Sequence, residues 1–96
     1  MYKGAYNTMR YSWDQKKARK NFDKHGIHFS DLEPVFEDEK AIVMDEFVRG
    51  EERSIIMGMD GLARILVVVC TLRGDESRII SARKAEFRER KRYGRK

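Results

Sequence analysis

The sequence predicts an α+β domain in which a small, mainly antiparallel β-sheet packs with two N-terminal helices and carries a basic C-terminal helix. Three observations lead there. Apolar residues follow helical spacing up to about residue 37, change to β-branched runs and alternation between residues 41 and 82, and give way to a dense Lys/Arg run at the end of the chain. With 96 residues the chain suits one core, since single domains usually span about 50–200 residues. Residues 1–96 are therefore read as a single domain.

Residues 1–8 contain Gly4 and Asn7 and show no period, so they read as a loose N-terminal arm, and Met9 to Trp13 alternates enough for a short strand. Asp14 is placed to cap a helix running from Gln15 to about His25. Ala18 and Phe22, four apart, give that helix a narrow buried stripe, while Lys16, Lys17, Arg19, Lys20 and Lys24 point elsewhere. Gly26 stops it, and Lys24 and His25 suit the negative pole of the helix dipole. Ser30-Asp-Leu-Glu33 matches a capping box for a second helix reaching about Glu37, with Leu32, Val35 and Phe36 inward and Pro34 limiting it to one or two turns.

The strands follow. Ala41 to Asp45 is β-branched and apolar, and Arg53 to Met59 alternates ahead of the Asp60-Gly61 turn signal. The acidic stretches Phe36 to Lys40 and Asp45 to Arg53 read as solvated loops. Arg64 to Leu72 is apolar on both alternations, which predicts a central strand covered on both faces. Arg73 to Glu76 is the next turn, Ser77 to Ala82 the last strand, and Lys84 to Tyr93 a final helix ended by Gly94. The predicted order is β-α-α-β-β-β-β-α.

Composition narrows the function. The chain is 39% charged yet 41% hydrophobic, so it has material for a core. It lacks both a run of about 20 apolar residues and an apolar signal region, so the expected location is the cytoplasm, away from membranes. Cys70 is the single cysteine, which excludes an internal disulfide and a multi-thiolate metal site. Its apolar surroundings make it a structural residue. His25 and His28 lack the i, i+4 spacing of a helical metal pair, and no phosphate loop, H-E-x-x-H or nucleophile elbow is present. Neither a metal nor any other cofactor is expected.

The net charge of +5 is unevenly placed: residues 83–96 carry eight Lys or Arg against Glu86 and Glu89, a local +6 that leaves −1 for the rest. Such a block attracts polyanions. At about 100° per residue, Lys84, Arg88, Lys91 and Arg95 fall in one narrow helical stripe with Phe87 beside it and Tyr93 opposite. A cation stripe edged by an aromatic suits a nucleic-acid backbone with a base stacked on the ring. Arg64, Arg78 and Arg83 add guanidiniums on or beside strands, where they can grip a phosphate and stabilise the charge of a pentacovalent transition state without a metal. Three functions fit these residues: an RNA-cleaving enzyme, a noncatalytic RNA- or DNA-binding module, and a protein-interaction domain docking an acidic partner.

Several stretches together resemble the BrnT family, the toxin half of bacterial type II toxin-antitoxin pairs. They are Tyr11-Ser-Trp-Asp14, Asn21-Phe-Asp-Lys-His-Gly26, Phe29, Val35-Phe36, Gly-Glu-Glu-Arg53 running into Met57-Gly, Leu66-Val-Val-Val69, and Arg78-Ile-Ile-Ser-Ala-Arg-Lys84 through Glu89-Arg90 to Tyr93. The resemblance spans about residues 9–93. It implies a RelE-like fold and a metal-independent endoribonuclease that cuts RNA and arrests growth. It also implies a ribbon-helix-helix antitoxin of BrnA type, with promoter DNA bound only through the toxin-antitoxin complex. Carried onto this sequence, it makes Arg64, Arg83, Lys84, Arg88 and Tyr93 the catalytic candidates, with Phe87 beside them, while charge and spacing make Arg78, Phe87, Lys91 and Arg95 the RNA-binding candidates.

Overall fold

The computed structural model describes residues 10–94; the arm at 1–8 and Arg95 lie outside them. The strands are β1 (Arg10–Ser12), β2 (Ile42–Val48), β3 (Glu51–Met59), β4 (Ile65–Arg73) and β5 (Glu76–Lys84), and the helices are α1 (Gln15–His25), α2 (Glu33–Glu37) and α3 (Phe87–Gly94). A single 3₁₀ turn, Phe29–Asp31, joins α1 to α2. One five-stranded sheet forms in the order β1-β5-β4-β3-β2, antiparallel except where β1 lies parallel to β5.

Side-chain alternation divides the sheet into two unlike faces. Ile56, Leu66, Val68, Cys70, Ile79 and Ala82 point to one face and form the main core with Ile27, Phe29, Leu32, Val35 and Phe36 of the helical layer. Tyr11 stacks on Phe36 with ring centres 4.0 Å apart, and Trp13 meets Phe29 edge-on, closing the β1 end. On the other face Met57 and Val67 form a smaller cluster with Ala85, joined by Ile42, Ile55, Ile65 and Tyr93. Among the described residues α3 is the one helix on this face, and it covers one end. On this face β4 is buried at Val67 and again at Thr71, with Val69 partly exposed between them, so the expected double covering of the central strand is interrupted in its middle.

Several local expectations need correction. The buried residue of α1 is Asn21, whereas Phe22 remains 40% exposed and stacks on His28 at 4.0 Å. Asn21 is buried because β5 runs past the end of β1, which leaves the outward N–H and C=O of Ala82 without a strand partner. The Asn21 carboxamide takes both: Oδ1 accepts from Ala82 N at 3.0 Å and Nδ2 donates to Ala82 O at 2.9 Å. Ser30 falls inside the 3₁₀ turn and does not cap α2, which starts at Glu33 so that Pro34 occupies the first turn, where no N–H is needed.

The segment Asp45 to Arg53 is a hairpin, because Arg49 and Gly50 both take positive φ (52° and 77°) and turn β2 directly into β3. Gly58 admits α2 to the sheet. A β-carbon there would lie 3.1 Å from Val35 O and 3.3 Å from Asp38 Oδ2.

Candidate nucleic-acid interface

The C-terminal helix starts three residues later than its charge pattern suggests, since β5 keeps pairing through Lys84 with Leu66. The break between strand and helix is made by Glu89. In the third position of the helix, its Oε1 accepts from the N–H of Glu86 at 2.7 Å, which is half of a capping box. Both carboxylate oxygens also hold Arg83, accepting from Nη1 and Nη2 at 2.9 Å each. Arg83 Nη1 donates in addition to Lys84 O at 3.2 Å. The Arg83 hydrogen bond, acting against burial, pulls the Glu89 carboxyl down to about 2. Gripped end-on, the guanidinium keeps its Nε/Nη2 edge without a partner among the described residues, and that edge can bind a phosphate bidentately.

The far end of α3 is fastened differently. Tyr93 packs on the Met57–Val67 cluster and donates its hydroxyl proton to Asp38 Oδ2 at 2.5 Å. The same oxygen accepts from Met59 N at 2.8 Å, and Oδ1 accepts from Lys40 N at 2.9 Å. Burial raises the Asp38 carboxyl, but the bonds from Tyr93 and the two amides outweigh it and hold the group below the ordinary range. Burial, and then Asp38, push the Tyr93 phenol up to about 12. A phenol so held keeps its proton at neutral pH and ties the end of α3 to Asp38.

Between these fastenings, Arg88 and Lys91 lie on the exposed side of the helix, as the stripe predicts, and Glu89 and Tyr93 face the sheet. Lys84 belongs to the strand, so the helical part of the stripe begins at Arg88, while Arg95 falls outside the described residues. Phe87 is 65% exposed, with Lys91 Nζ 5.6 Å and the Arg90 guanidinium 5.9 Å from its ring centre. Arg90 donates to Ala85 O at 2.8 Å, tying the helix back to the strand end.

Arg64 stands apart from this group. Register puts Arg83 beside Val67 on the α3 face, whereas Arg64 alternates with Leu66 and Val68 towards the helical layer. Its Nε and Nη2 meet Asp60 Oδ2 at 2.8 and 2.7 Å, and its own N–H and that of Leu62 donate to Asp60 Oδ1 at 2.8 and 3.0 Å. Burial raises Asp60, but these bonds prevail and lower it. One carboxylate thus builds the β3–β4 turn and engages the Nε/Nη2 edge of the guanidinium. Arg78 lies on the α3 face and forms no ion pair among the described residues. Cys70 is fully buried, with burial pushing its thiol up to about 11, and no cluster of metal-binding side chains occurs among the described residues.

Asp38, Asp60 and Glu89 were missed as partners of the candidate residues. Asp60-Gly-Leu-Ala-Arg64 carries a local signal, an Asp whose carboxylate caps its own turn. Glu89 carries a fainter one as a glutamate in a first helical turn. Asp38 gives none, since its partner is 55 residues away.

The chain is thus a small α+β protein with a mixed sheet, a basic helix laid across one end and a fixed arginine at their junction. Residues 13–89 match the family described as "Ribonuclease toxin, BrnT, of type II toxin-antitoxin system", and the chain belongs to that family. It is also similar to the Brucella abortus ribonuclease toxin BrnT, whose crystal structure superposes with a TM-score of 0.67 at 29% identity, over 82% of this chain and 99% of that one. No curated protein sequence matches the chain.

Proposed function

We propose that this toxin is a RelE-like, metal-independent endoribonuclease of the cytoplasm that cuts RNA and arrests growth until a BrnA-type ribbon-helix-helix antitoxin covers it. Promoter DNA is then contacted through the toxin-antitoxin complex. The observation that carries this reading is Arg83, a guanidinium fixed by Glu89 with its Nε/Nη2 edge open beside a cationic helix.

In the proposed reaction the ribose 2′ oxygen attacks the adjacent phosphorus and the bond from phosphorus to the 5′ oxygen breaks. The products are a 2′,3′-cyclic phosphate and a 5′-hydroxyl, with the 2′ proton leaving to solvent and solvent protonating the 5′ oxygen. Arg83 stabilises the phosphorane through charge that appears only in the transition state. Arg88 and Lys91 draw the strand in, while Lys84, paired with Leu66 on the other face, and Arg95, outside the described residues, add positive charge to this end of the chain. Arg64 and Tyr93 serve as structural residues holding the turn and the helix.

The test is incubation of purified protein with RNA in excess EDTA, with analysis of the product ends. Cleavage to cyclic-phosphate ends is expected. Retention of intact RNA would instead make the protein a binding module, and neither cleavage nor retention would leave an interaction domain for an acidic partner.

A further inference from the structure

The α3 face of the sheet carries a second basic row, far from the helix. Strand register aligns Glu46 of β2, Arg53 of β3, Thr71 of β4, Arg78 of β5 and Ser12 of β1 side by side across all five strands. Alternation sends them to the face that bears Met57 and Val67, opposite the helical layer. Thr71 is buried between the two arginines.

Among the described residues this row is only weakly paired. Arg53 reaches Glu51 only at 3.5 Å, and that carboxylate is shared with Arg73 at 3.8 Å, so both contacts are long for charge-assisted bonds. Arg53 Nε and Ser12 Oγ are buried with no hydrogen-bond partner among the described residues, so the protein does not tie down the inner end of the Arg53 guanidinium. Arg78 has no carboxylate partner among the described residues. In contrast, Arg64 and Arg83 each have one at 2.9 Å or less.

The two rows have a useful separation. Thr71 in this row and Val67, beside Arg83, are four residues apart on β4, or roughly 13 Å at about 3.3 Å per strand residue. Between them lie Ile55, Val69 and Ser81, all partly exposed. An apolar floor with Arg53 and Arg78 at one end and Arg83 at the other suits a single strand laid along β4 and β5, bases inward and phosphates on the arginines.

We infer that Arg53 and Arg78, which flank the buried Thr71, form a phosphate subsite that holds the RNA strand at a distance from the scissile bond gripped by Arg83. The inference rests on the proposed RNA substrate and adds the path of that substrate over the sheet. The subsite binds the ground state and transition state alike, so it governs affinity more than the chemical step.

The experiment compares wild type, Arg53→Ala, Arg78→Ala, Arg78→Lys and Arg83→Ala, each shown folded by its melting curve, in direct binding of a ten-nucleotide and a three-nucleotide RNA across a salt series. Arg53→Ala and Arg78→Ala are expected to weaken the longer RNA about tenfold and to lower its salt slope by about 0.7 each, the value for one lost single-strand phosphate contact. Arg78→Lys is expected to keep the slope, and the short RNA to be affected little. Affinity should fall further than the saturated cleavage rate. An unchanged affinity and slope for both alanine variants would overturn the subsite and leave the nuclease reading intact. Wild-type protein that binds but does not cut would overturn the nuclease reading alone, and the slopes would still decide the subsite. Wild-type protein that binds no RNA would overturn both.

Discussion

Arg64 and Arg83 are each held by a carboxylate at 2.7–2.9 Å, and in the sequence they look alike. Their partners differ. The Asp60 side chain is 2% exposed, receives two backbone N–H groups as well as the guanidinium, and organises a turn on the side of the helical layer. Glu89 is 28% exposed, sits in the first turn of the basic helix, and grips Arg83 by one edge while the other stays open. On the proposed reading, the guanidinium whose Nε edge meets a buried acid holds the fold, and the one held end-on at an exposed rim is presented to RNA. Burial of the carboxylate, and the edge it takes, separate the two roles.

The largest effect should come from breaking the buried side of this comparison. Asp60→Ala strips partners from two amides and a guanidinium and is expected to destabilise the fold by about 3 kcal/mol, or roughly 15 °C in melting temperature for a domain of this size. Asp60→Asn keeps the turn-capping oxygen and should lose distinctly less; equal losses in the two melting curves would show that the ion pair matters more than the turn.

Glu89→Gln sharpens the exposed side. It raises net charge, so RNA affinity should stay equal or tighten, yet it loosens Arg83 and should slow saturated cleavage about tenfold. Cleavage that rises with affinity would make Glu89 merely a repelling charge. Because the folded Glu89 carboxyl lies at about 2 against an ordinary 4.5, its contribution is fully present above about pH 4.5 and is lost as pH falls towards 2. The urea midpoints of wild type and Glu89→Gln should therefore converge over that acid range.

Smaller effects are expected elsewhere. Tyr93→Phe removes the bond to Asp38 and should cost about 1 kcal/mol. With the folded phenol at about 12 against an ordinary 10, that contribution is complete below pH 10 and disappears as pH rises through 12, so the stability difference between the two proteins should shrink over the same interval. Cys70→Ala should cost about 1–2 kcal/mol through a small cavity and leave activity per folded molecule unchanged. A folded but inactive variant would show that the thiol does more than pack.

The strands were legible because alternation and β-branched runs are local, and their ends shifted by only a few residues. Asp14 as a helix cap and Gly26 as a stop were legible for the same reason. Contacts between distant residues were not. Asn21 reads as one polar residue on a polar helix, and only the unpaired edge of β5 reveals why it is buried. The cation stripe of α3 was legible from helical spacing, but its starting point was set by Lys84 pairing with Leu66, which no helical period records. Family resemblance found the arginines without telling Arg64 from Arg83, since their difference lies in the partner carboxylates.

The most direct test of that difference is single-turnover RNA cleavage by Arg83→Ala and Arg64→Ala, with each rate divided by the folded fraction measured in the same buffer. Arg83→Ala is expected to cut about 10²-fold more slowly, the scale of losing one transition-state donor, with a melting temperature near that of wild type. Arg64→Ala is expected to melt earlier and cut at nearly the wild-type rate per folded molecule. A folded Arg64→Ala protein that loses cleavage while Arg83→Ala retains it would contradict the account.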